Sequence, residues 1–435
     1  MKKYILFLPL LFVLPALKGQ SLYFPPNSGN TWDTISPASL GWCPDKIDIL
    51  YDYLENRNSK AFILLKDGKI VLEKYFGTFT QDSAWYWASA GKSLTAFTVG
   101  IAQQEGHLSI SDTTSQYLGT GWTTCPQPKE DMITIRHQLT MTTGLDDGVP
   151  DPFCTDPGCL QYFADAGDRW AYHNGPYTLL DDVIASATGQ NLTTYTTQKV
   201  LLPTGMTGAY IPSGYNNVFW SKPRSMARFG LLILNKGNWN GNQVMTDTAY
   251  FHDMVNTSQL LNHSYGYLWW LNGKTSFMIP QLQVVFPYML NQSAPEDMIC
   301  ALGKNGQVIN VVPSMDLVFI RMGNAPGDNG LVTTFFNDTI WQKLNDVMCN
   351  VGMDEENIPE VNVYPNPASE NTMIHFAATE FDAELCDQSG RIIRSYLKNS
   401  GSLNIPLSGI SNGVYYIRIH SSTGFLVKKL VVNRS

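Results

Sequence analysis

A serine and a lysine three residues apart, Ser89-Ala-Gly-Lys92, open a stretch with helical periodicity, and few folds can use that arrangement. Leu94, Phe97 and Ile101 recur at helix spacing over residues 89–107, and Gly106 supplies the stop. One helical turn puts Ser89 and Lys92 on the same face, so the amine reaches the hydroxyl. At a helix start, the serine also meets unpaired backbone N–H groups and the positive end of the helix dipole. An otherwise inert hydroxyl becomes a nucleophile in such surroundings. Two more short motifs follow in order, Tyr172-His-Asn174 and Lys304-Asn-Gly306. Singly, each has duplicates: Ser395-Tyr-Leu-Lys398 for the first, Tyr215-Asn-Asn217 and Tyr364-Pro-Asn366 for the second, Lys66-Asp-Gly68 for the third. An isolated match of this kind is ordinarily a solvated helix lysine or a turn. The ordered set with its flanking residues is the informative signal.

A chain of 435 residues has room for one large and one small domain. Its net charge of −8 and few basic clusters argue against nucleic acid or an anionic membrane as the main partner. Met1-Lys2-Lys3 followed by apolar residues 4–17 reads as an export signal peptide spanning residues 1–19, with cleavage after Gly19. No later segment has eighteen uninterrupted apolar residues, so no integral membrane span is expected and the mature chain is expected to be soluble and exported. Export permits disulfides, and six of the seven cysteines precede residue 350. Six cysteines allow fifteen pairings. Cys154 and Cys159 flank a Pro-Gly turn, which makes that closure cheap. Cysteines and histidines show no regular ligand spacing, so neither a metal nor a cofactor is expected.

The remaining pattern is α+β. Residues 44–56 read as a helix. Strands at 61–65 and 69–75 flank Asp67-Gly68, a pair favoured in type I′ turns. Lys304 begins a second hairpin with strands 308–312 and 317–322, joined through Pro313-Ser-Met-Asp316. Residues 330–349 read as a closing helix that buries Leu331, Phe335, Trp341, Leu344 and Met348. An acidic, pattern-free linker over 351–360 then separates the main α+β body (20–350) from residues 361–435. These carry short strands at 372–376, 383–387, 391–396, 413–420 and 425–432, with turns at Gln388-Ser-Gly390 and Ser411-Asn-Gly413, the pattern of a small all-β sandwich.

Beyond the three motifs, Ile135-Arg-His137-Gln-Leu-Thr-Met-Thr-Thr143-Gly-Leu145, Tyr172-His-Asn174-Gly-Pro-Tyr177-Thr-Leu-Leu180, Leu202-Pro-Thr-Gly205-Met206, Ser225-Met-Ala-Arg228-Phe229 and Gly303-Lys304-Asn-Gly306-Gln307 complete a recognisable text. It resembles the serine β-lactamase and penicillin-binding-protein superfamily, on its class C and esterase-like branch. The resemblance implies an antiparallel sheet flanked by helices, an all-helical lobe, and an active site between them. It further implies Ser89 as nucleophile, Lys92 and Tyr172 as its catalytic partners, and Asn174, Lys304, Gly306 and Gln307 on the substrate side. Tyr172, close to both lysines, is expected to favour its phenolate, and the backbone N–H groups of Ser89 and Gln307 would hold the oxyanion. In the resembling fold the first and last helices run antiparallel on one sheet face, which implies a Cys43–Cys349 bridge beside Cys154–Cys159. Tyr364-Pro-Asn-Pro367, Leu385 to Gly390, Gly413-Val-Tyr415 and Lys428-Lys-Leu-Val-Val432 resemble the C-terminal sorting domain of type IX secretion substrates. That likeness implies the secretion machinery as a partner, with passage through the periplasm to the outside or the cell surface.

The expected activity is a secreted, monomeric serine hydrolase acting through a Ser89 acyl-enzyme on a small-molecule or peptide ester, amide or β-lactam. The alternative is a penicillin- or peptide-binding module that acylates with little turnover. An α/β-hydrolase is excluded, because Trp87-Ala-Ser89-Ala-Gly91 lacks the first glycine of the nucleophile elbow. Asn305 stands where the resembling family has a threonine or serine, His173 where it has a serine, and Met141 replaces a histidine. Phe277, Met278, Phe286, Tyr288 and Met289 are candidates for lining an acyl pocket.

Overall fold

The computed structural model describes residues 22–327, 333–349, 361–387, 391–421 and 424–434. The signal peptide, the 351–360 linker, the 388–390 turn and the Gly330–Leu331 start of the expected closing helix lie outside the described residues. The chain divides into two compact units, Met1–Cys349 and Asn350–Ser435.

The strands that frame the first unit are β1 (Ser59–Lys66), β2 (Lys69–Tyr75), β3 (Trp85–Tyr86), β4 (Gly208–Ser213), β5 (Asn216–Ser221), β6 (Trp270–Leu271), β7 (Phe277–Ile279), β8 (Leu282–Phe286), β9 (Ile299–Gly303), β10 (Gln307–Val312) and β11 (Leu317–Gly323). Its main helices are α1 (Ile47–Asn56), α2 (Gly91–Gln104), α3 (Ile135–Thr140), α4 (Asn174–Thr178), α5 (Leu180–Thr188), α6 (Pro223–Leu234) and α7 (Thr334–Val347). Six strands form one antiparallel sheet in the order β2-β1-β11-β10-β9-β6. The β1–β2 turn forms as its residues require, with φ of 52° at Asp67 and 80° at Gly68. The central strands read as apolar runs because both faces are covered: every residue of β10 and β11 is buried. On one face α6 lies so close to β11 that a Cβ on Gly230 would come within 2.5 Å of Val318.

The second hairpin appears over β10 and β11, and β9 precedes it as a strand not read from the sequence. Lys304–Gly306 is therefore the turn between β9 and β10. The closing helix α7 buries Phe336, Ile340, Trp341, Leu344 and Val347, whereas Phe335 is 75% exposed. Phe335 lies six residues before Trp341, which at about 100° per residue falls well off the buried stripe; the stripe starts at Phe336.

Both expected disulfides are present. Cys43 and Cys349 have Cα atoms 5.5 Å apart, and the Cys43 N–H donates to Val347 O at 2.8 Å, so the start of α1 and the end of α7 meet. Cys154 and Cys159 have Cα atoms 5.9 Å apart, while Cys125, Cys300 and Cys386 are free.

The second unit is all-β, with β12 (Asn362–Tyr364), β13 (Asn371–Cys386), β14 (Ile392–Pro406), β15 (Gly413–Ser421) and β16 (Gly424–Val432). Strand order is β12-β13-β15-β16, with β14 also paired to β13. The two strands read at 372–376 and 383–387 are one long strand whose register shifts between Phe376 and Ala383. No Gly, Pro or Asn interrupts that stretch, so the chain bends through irregular pairing instead of breaking. Ile374, Phe376, Phe381, Leu385, Ile405, Ile417, Ile419 and Leu430 form its own core.

Exchange of both Cys43 and Cys349 for serine opens a loop with a sequence separation of 306. Denaturant titration should show a loss of about 3–5 kcal/mol. Unchanged stability would mean that the bridge constrains nothing that packing does not already hold.

Candidate active site

Ser89 lies in a single 3₁₀ turn, Ala88–Ala90, that runs straight into α2. The turn is strained and tightly held. Ala88 has φ of 46°, a conformation uncommon for any residue but glycine and enriched at functional sites. Trp87, fully buried before it, donates its indole N–H to Ser221 Oγ at 2.8 Å, and its backbone N–H donates to Phe219 O at 2.8 Å. From the other side, β9 ends against this turn at Gly303. A Cβ there would sit 2.4 Å from Trp87 O and 3.0 Å from Ala90 N, so only glycine allows the approach.

Lys92 is on the first turn of α2 and only 5% exposed. Its Nζ is 3.4 Å from Ser89 Oγ, 4.0 Å from the ring centroid of Tyr177 and 5.4 Å from that of Tyr172. Burial pushes its pKa down to about 7, against the pull of the Asp181 carboxylate in the other direction. Tyr172 stacks on Trp270 with centroids 6.1 Å apart and 15° between planes. Burial raises its phenol above the usual range, partly offset by a hydrogen bond with Ser89. The expected phenolate is thus not the resting form. An apolar, aromatic cage disfavours the anion, and Tyr172 keeps its proton.

Ser89, Lys92, Tyr172, Asn174 and Lys304 all border one cavity of about 780 Å³. Gly306 and Gln307 do not border it; Gly306 is buried in the β9–β10 turn and Gln307 is buried at the start of β10. Gln307 donates from Nε2 to Gly323 O at 2.6 Å and accepts from Gly323 N at 3.1 Å. The buried Arg321 guanidinium donates to Asn305 O at 2.7 Å and to Gly306 O at 3.1 Å. Asn305 in turn donates to Tyr86 Oη at 2.7 Å. These bonds fix the turn that holds Lys304 at the cavity rim.

The candidate acyl-pocket residues are elsewhere. Phe277 stacks on Phe286 at 5.0 Å and meets Tyr288 edge-on at 5.3 Å, so this trio packs on itself. From that segment the cavity receives only Pro280 and Gln281, at the β7–β8 turn. Part of its lining comes from the β4–β5 hairpin, including Asn216, Asn217 and Trp220, which sequence reasoning passed over. Phe153, 41% exposed, borders the cavity beside the Cys154–Cys159 ring. Within that ring Asp156 accepts from Tyr215 Oη at 2.6 Å, clasping the loop to the hairpin tip. His173 is 2% exposed, neither ring nitrogen has a protein partner, and burial pushes its pKa down to about 4. It is a neutral spacer between two cavity residues.

A sequence-family comparison agrees with this geometry. Residues 51–334 match the Beta-lactamase family, well over half of the chain. The chain belongs to the β-lactamase family. Residues 362–433 match the secretion system C-terminal sorting domain. An uncharacterized protein of Alkalihalophilus pseudofirmus is 24% identical over 304 residues, 61% of this chain and 84% of its own length. Among solved structures, a β-lactamase from Mycobacterium bovis has a TM-score of 0.51 at 17% identity, covering 70% of this chain and 99% of that one. The octameric penicillin-binding protein homologue of Pyrococcus abyssi has a TM-score of 0.52 at 15% identity, covering 89% and 96%. At these identities the two structures establish the fold, a β-lactamase/transpeptidase-like sheet with flanking helices.

Substitution Gly303→Ala should displace the serine turn and cost about 1–3 kcal/mol of stability through overpacking. Thermal melting together with the rate of serine labelling by a fluorophosphonate tests this. Wild-type values for both would mean that the strand end does not bear on Ser89.

Proposed function

We propose that the first unit is a serine hydrolase that forms an ester-linked acyl-enzyme on Ser89 and hydrolyses an ester or amide, a β-lactam amide included. One observation carries this reading: a desolvated lysine amine, poised near neutrality, lies 3.4 Å from Ser89 Oγ at the floor of a cavity. The neutral Lys92 amine takes the serine proton as Oγ bonds to the acyl carbon. The carbonyl π electrons move to oxygen, and that oxyanion is received by two backbone N–H groups. Ser89 supplies one. For the other we assign Lys304 in place of Gln307, because Gly303 presses against the serine turn and the next residue borders the cavity. Each such donor is worth about 3 kcal/mol in comparable enzymes. Tyr172, protonated at rest, is positioned to hand its proton to the leaving group and recover one from Lys92. Asn174 orients the scissile group, and the Lys304 ammonium draws an anionic part of the substrate. Water then attacks the acyl-enzyme from the cavity side.

The second unit is assigned to export. Its match to the sorting domain supports delivery through the type IX machinery to the outside or cell surface, and among the described residues no helix is long and apolar enough to cross a membrane.

A fluorophosphonate probe should label Ser89, with labelling abolished in Ser89→Ala and nearly so in Lys92→Ala. Persistence in Ser89→Ala would overturn the assignment. Because Lys92 must be neutral to act as base and its pKa lies at about 7, the labelling rate should rise with pH through neutrality. A flat profile between pH 6 and 8 would exclude that role. Chromogenic cephalosporin, p-nitrophenyl esters and D-amino-acid amides then sort substrate classes; sustained release marks turnover, whereas a burst alone marks an acyl-binding module.

Removal of the chain beyond Cys349 should leave this activity intact in protein folded under oxidising conditions. In the native cell the same truncation should be retained in the periplasm. Normal secretion of the shortened form would overturn the export role.

A further inference from the structure

Strands β3, β5 and β4 form a separate sheet in that order, and its register decides which side chains share the face on the cavity. Tyr86 on β3 lies opposite Trp220 on β5, and two residues along β5 Val218 lies opposite Ile211 on β4. Successive residues alternate between faces, so Tyr86, Trp220, Val218 and Ile211 stand on one side. All four border the cavity. The other side goes to the core: Phe219 is fully buried and meets Trp87 edge-on at 4.8 Å and Tyr210 at 5.0 Å. The intervening pair Pro212 and Asn217 also reaches the cavity. The stripe begins beside the serine, since Tyr86 precedes Ser89 by three residues and its ring lies 5.6 Å from that of Trp220. It ends at the hairpin tip on a polar pair, Ser213 and Asn216, both on the cavity. From Trp220 to Asn216 the strand carries this face over about 13 Å. The Asp156–Tyr215 bond holds the disulfide ring to the same tip, and Phe153 beside that ring borders the cavity too. Ile211 is 47% exposed and Phe153 41%. Single exposed apolar side chains are ordinary, but a row of them lining a cavity with a nucleophile marks a binding surface.

We propose that the acyl part of the substrate is an extended, uncharged apolar chain that lies along Tyr86, Trp220, Val218 and Ile211 and meets Phe153 at its outer end. The proposal rests on the acylation of Ser89 and names the substrate class for that same site. The charged residues on the cavity lining are Lys92, Asp147 and Lys304, and none stands on this stripe. Asp147 is already ion-paired with Arg169 at 2.5 Å. The Tyr86 hydroxyl is taken by Asn305 Nδ2 at 2.7 Å, which leaves its ring for apolar contact. The acyl side follows from the placement of the other groups. Tyr172, which meets the leaving group in the reading above, stacks on Trp270 of the six-stranded sheet. The stripe belongs to a different sheet and starts just before the nucleophile, so it falls to the remaining substituent of the reacting carbon. It takes no part in the covalent step; it removes the chain from water while Oγ attacks.

The test compares p-nitrophenyl butanoate with p-nitrophenyl octanoate on full-length protein folded under oxidising conditions. The two esters share a leaving group and a reacting carbon and differ only in chain length. Wild-type kcat/KM should favour octanoate by about tenfold or more. Ile211→Ser should lower the octanoate-to-butanoate ratio by about threefold to tenfold. Phe153→Ser should act in the same direction, and it serves where Ile211→Ser does not fold. Equal values for the two esters in the wild type, or a preference for octanoate that survives in both variants, overturns the proposal. Butanoate esters of butanol and octanol place the added length on the leaving side; a preference there with none in the acyl series also overturns it. Binding is read separately in Ser89→Ala by tryptophan fluorescence, where methyl octanoate should bind more tightly than methyl butanoate and Ile211→Ser should erase the difference. That binding pattern, in a protein whose wild type releases no p-nitrophenol and resists fluorophosphonate, would refute the hydrolase reading and leave the apolar subsite standing.

Discussion

The approach on which the site depends is made possible by an atom that is missing. At Gly303 the end of β9 comes so near the serine turn that a single methyl would collide with Trp87 O. Without it, β9 and the turn before α2 lie side by side, and the rim that carries Lys304 faces Ser89. Other features serve that approach. Arg321 and Gln307 pin the turn just beyond it, Trp87 fixes the segment below it, and Ala88 accepts a left-handed conformation to enter the helix at the required angle. The strain at Ala88 persists because buried neighbours on both sides leave no room to relax.

The second constraint is the dryness of the floor. Lys92 is surrounded by ring faces, and those of Tyr172 and Tyr177 attract a cation only weakly compared with water. The penalty for charging the amine therefore dominates. The same environment acts oppositely on tyrosine, making the phenolate costly. One apolar enclosure thus pushes the Lys92 amine toward its neutral form and keeps the Tyr172 phenol protonated beside it. Exposed Lys304, a few ångströms of chain from Gly303, has none of this enclosure and differs from Lys92 in environment, not in chemistry.

Much of this was legible in the residues. Helix periodicity and the serine–lysine spacing located α2, and Asp67-Gly68 located the first hairpin, because a turn needing two positive φ angles leaves little choice of residue. The third motif was harder. Lys304-Asn-Gly306 has the right residue types, yet β9 was not read as a strand, so Gly303 was given no role of its own. Ile299–Gly303 is a short, fully buried run without alternation, and such a run carries no signal of strand over helix. The β4–β5 wall was passed over for a related reason: Tyr215-Asn-Asn217 was set aside as a chance duplicate of Tyr172-His-Asn174, although Asn217 borders the cavity. Aromatics at 277, 286 and 288 were noticed for their type, but strand pairing turned them toward one another.

The Cys43–Cys349 bridge has a mechanical side. It closes the first unit into a covalent ring, and whatever follows Cys349 is tethered to that ring, not to the free end of a helix. Tension on the downstream chain, such as a machine threading it through a pore would exert, therefore arrives at two helices at once. Peeling α7 away turn by turn, the easiest route for unravelling a terminal helix, is closed off, since its last turn is bolted beside the beginning of α1. The load must instead shear both helices together across the sheet, where many contacts break simultaneously. A body built this way can be pulled by its tail and arrive folded.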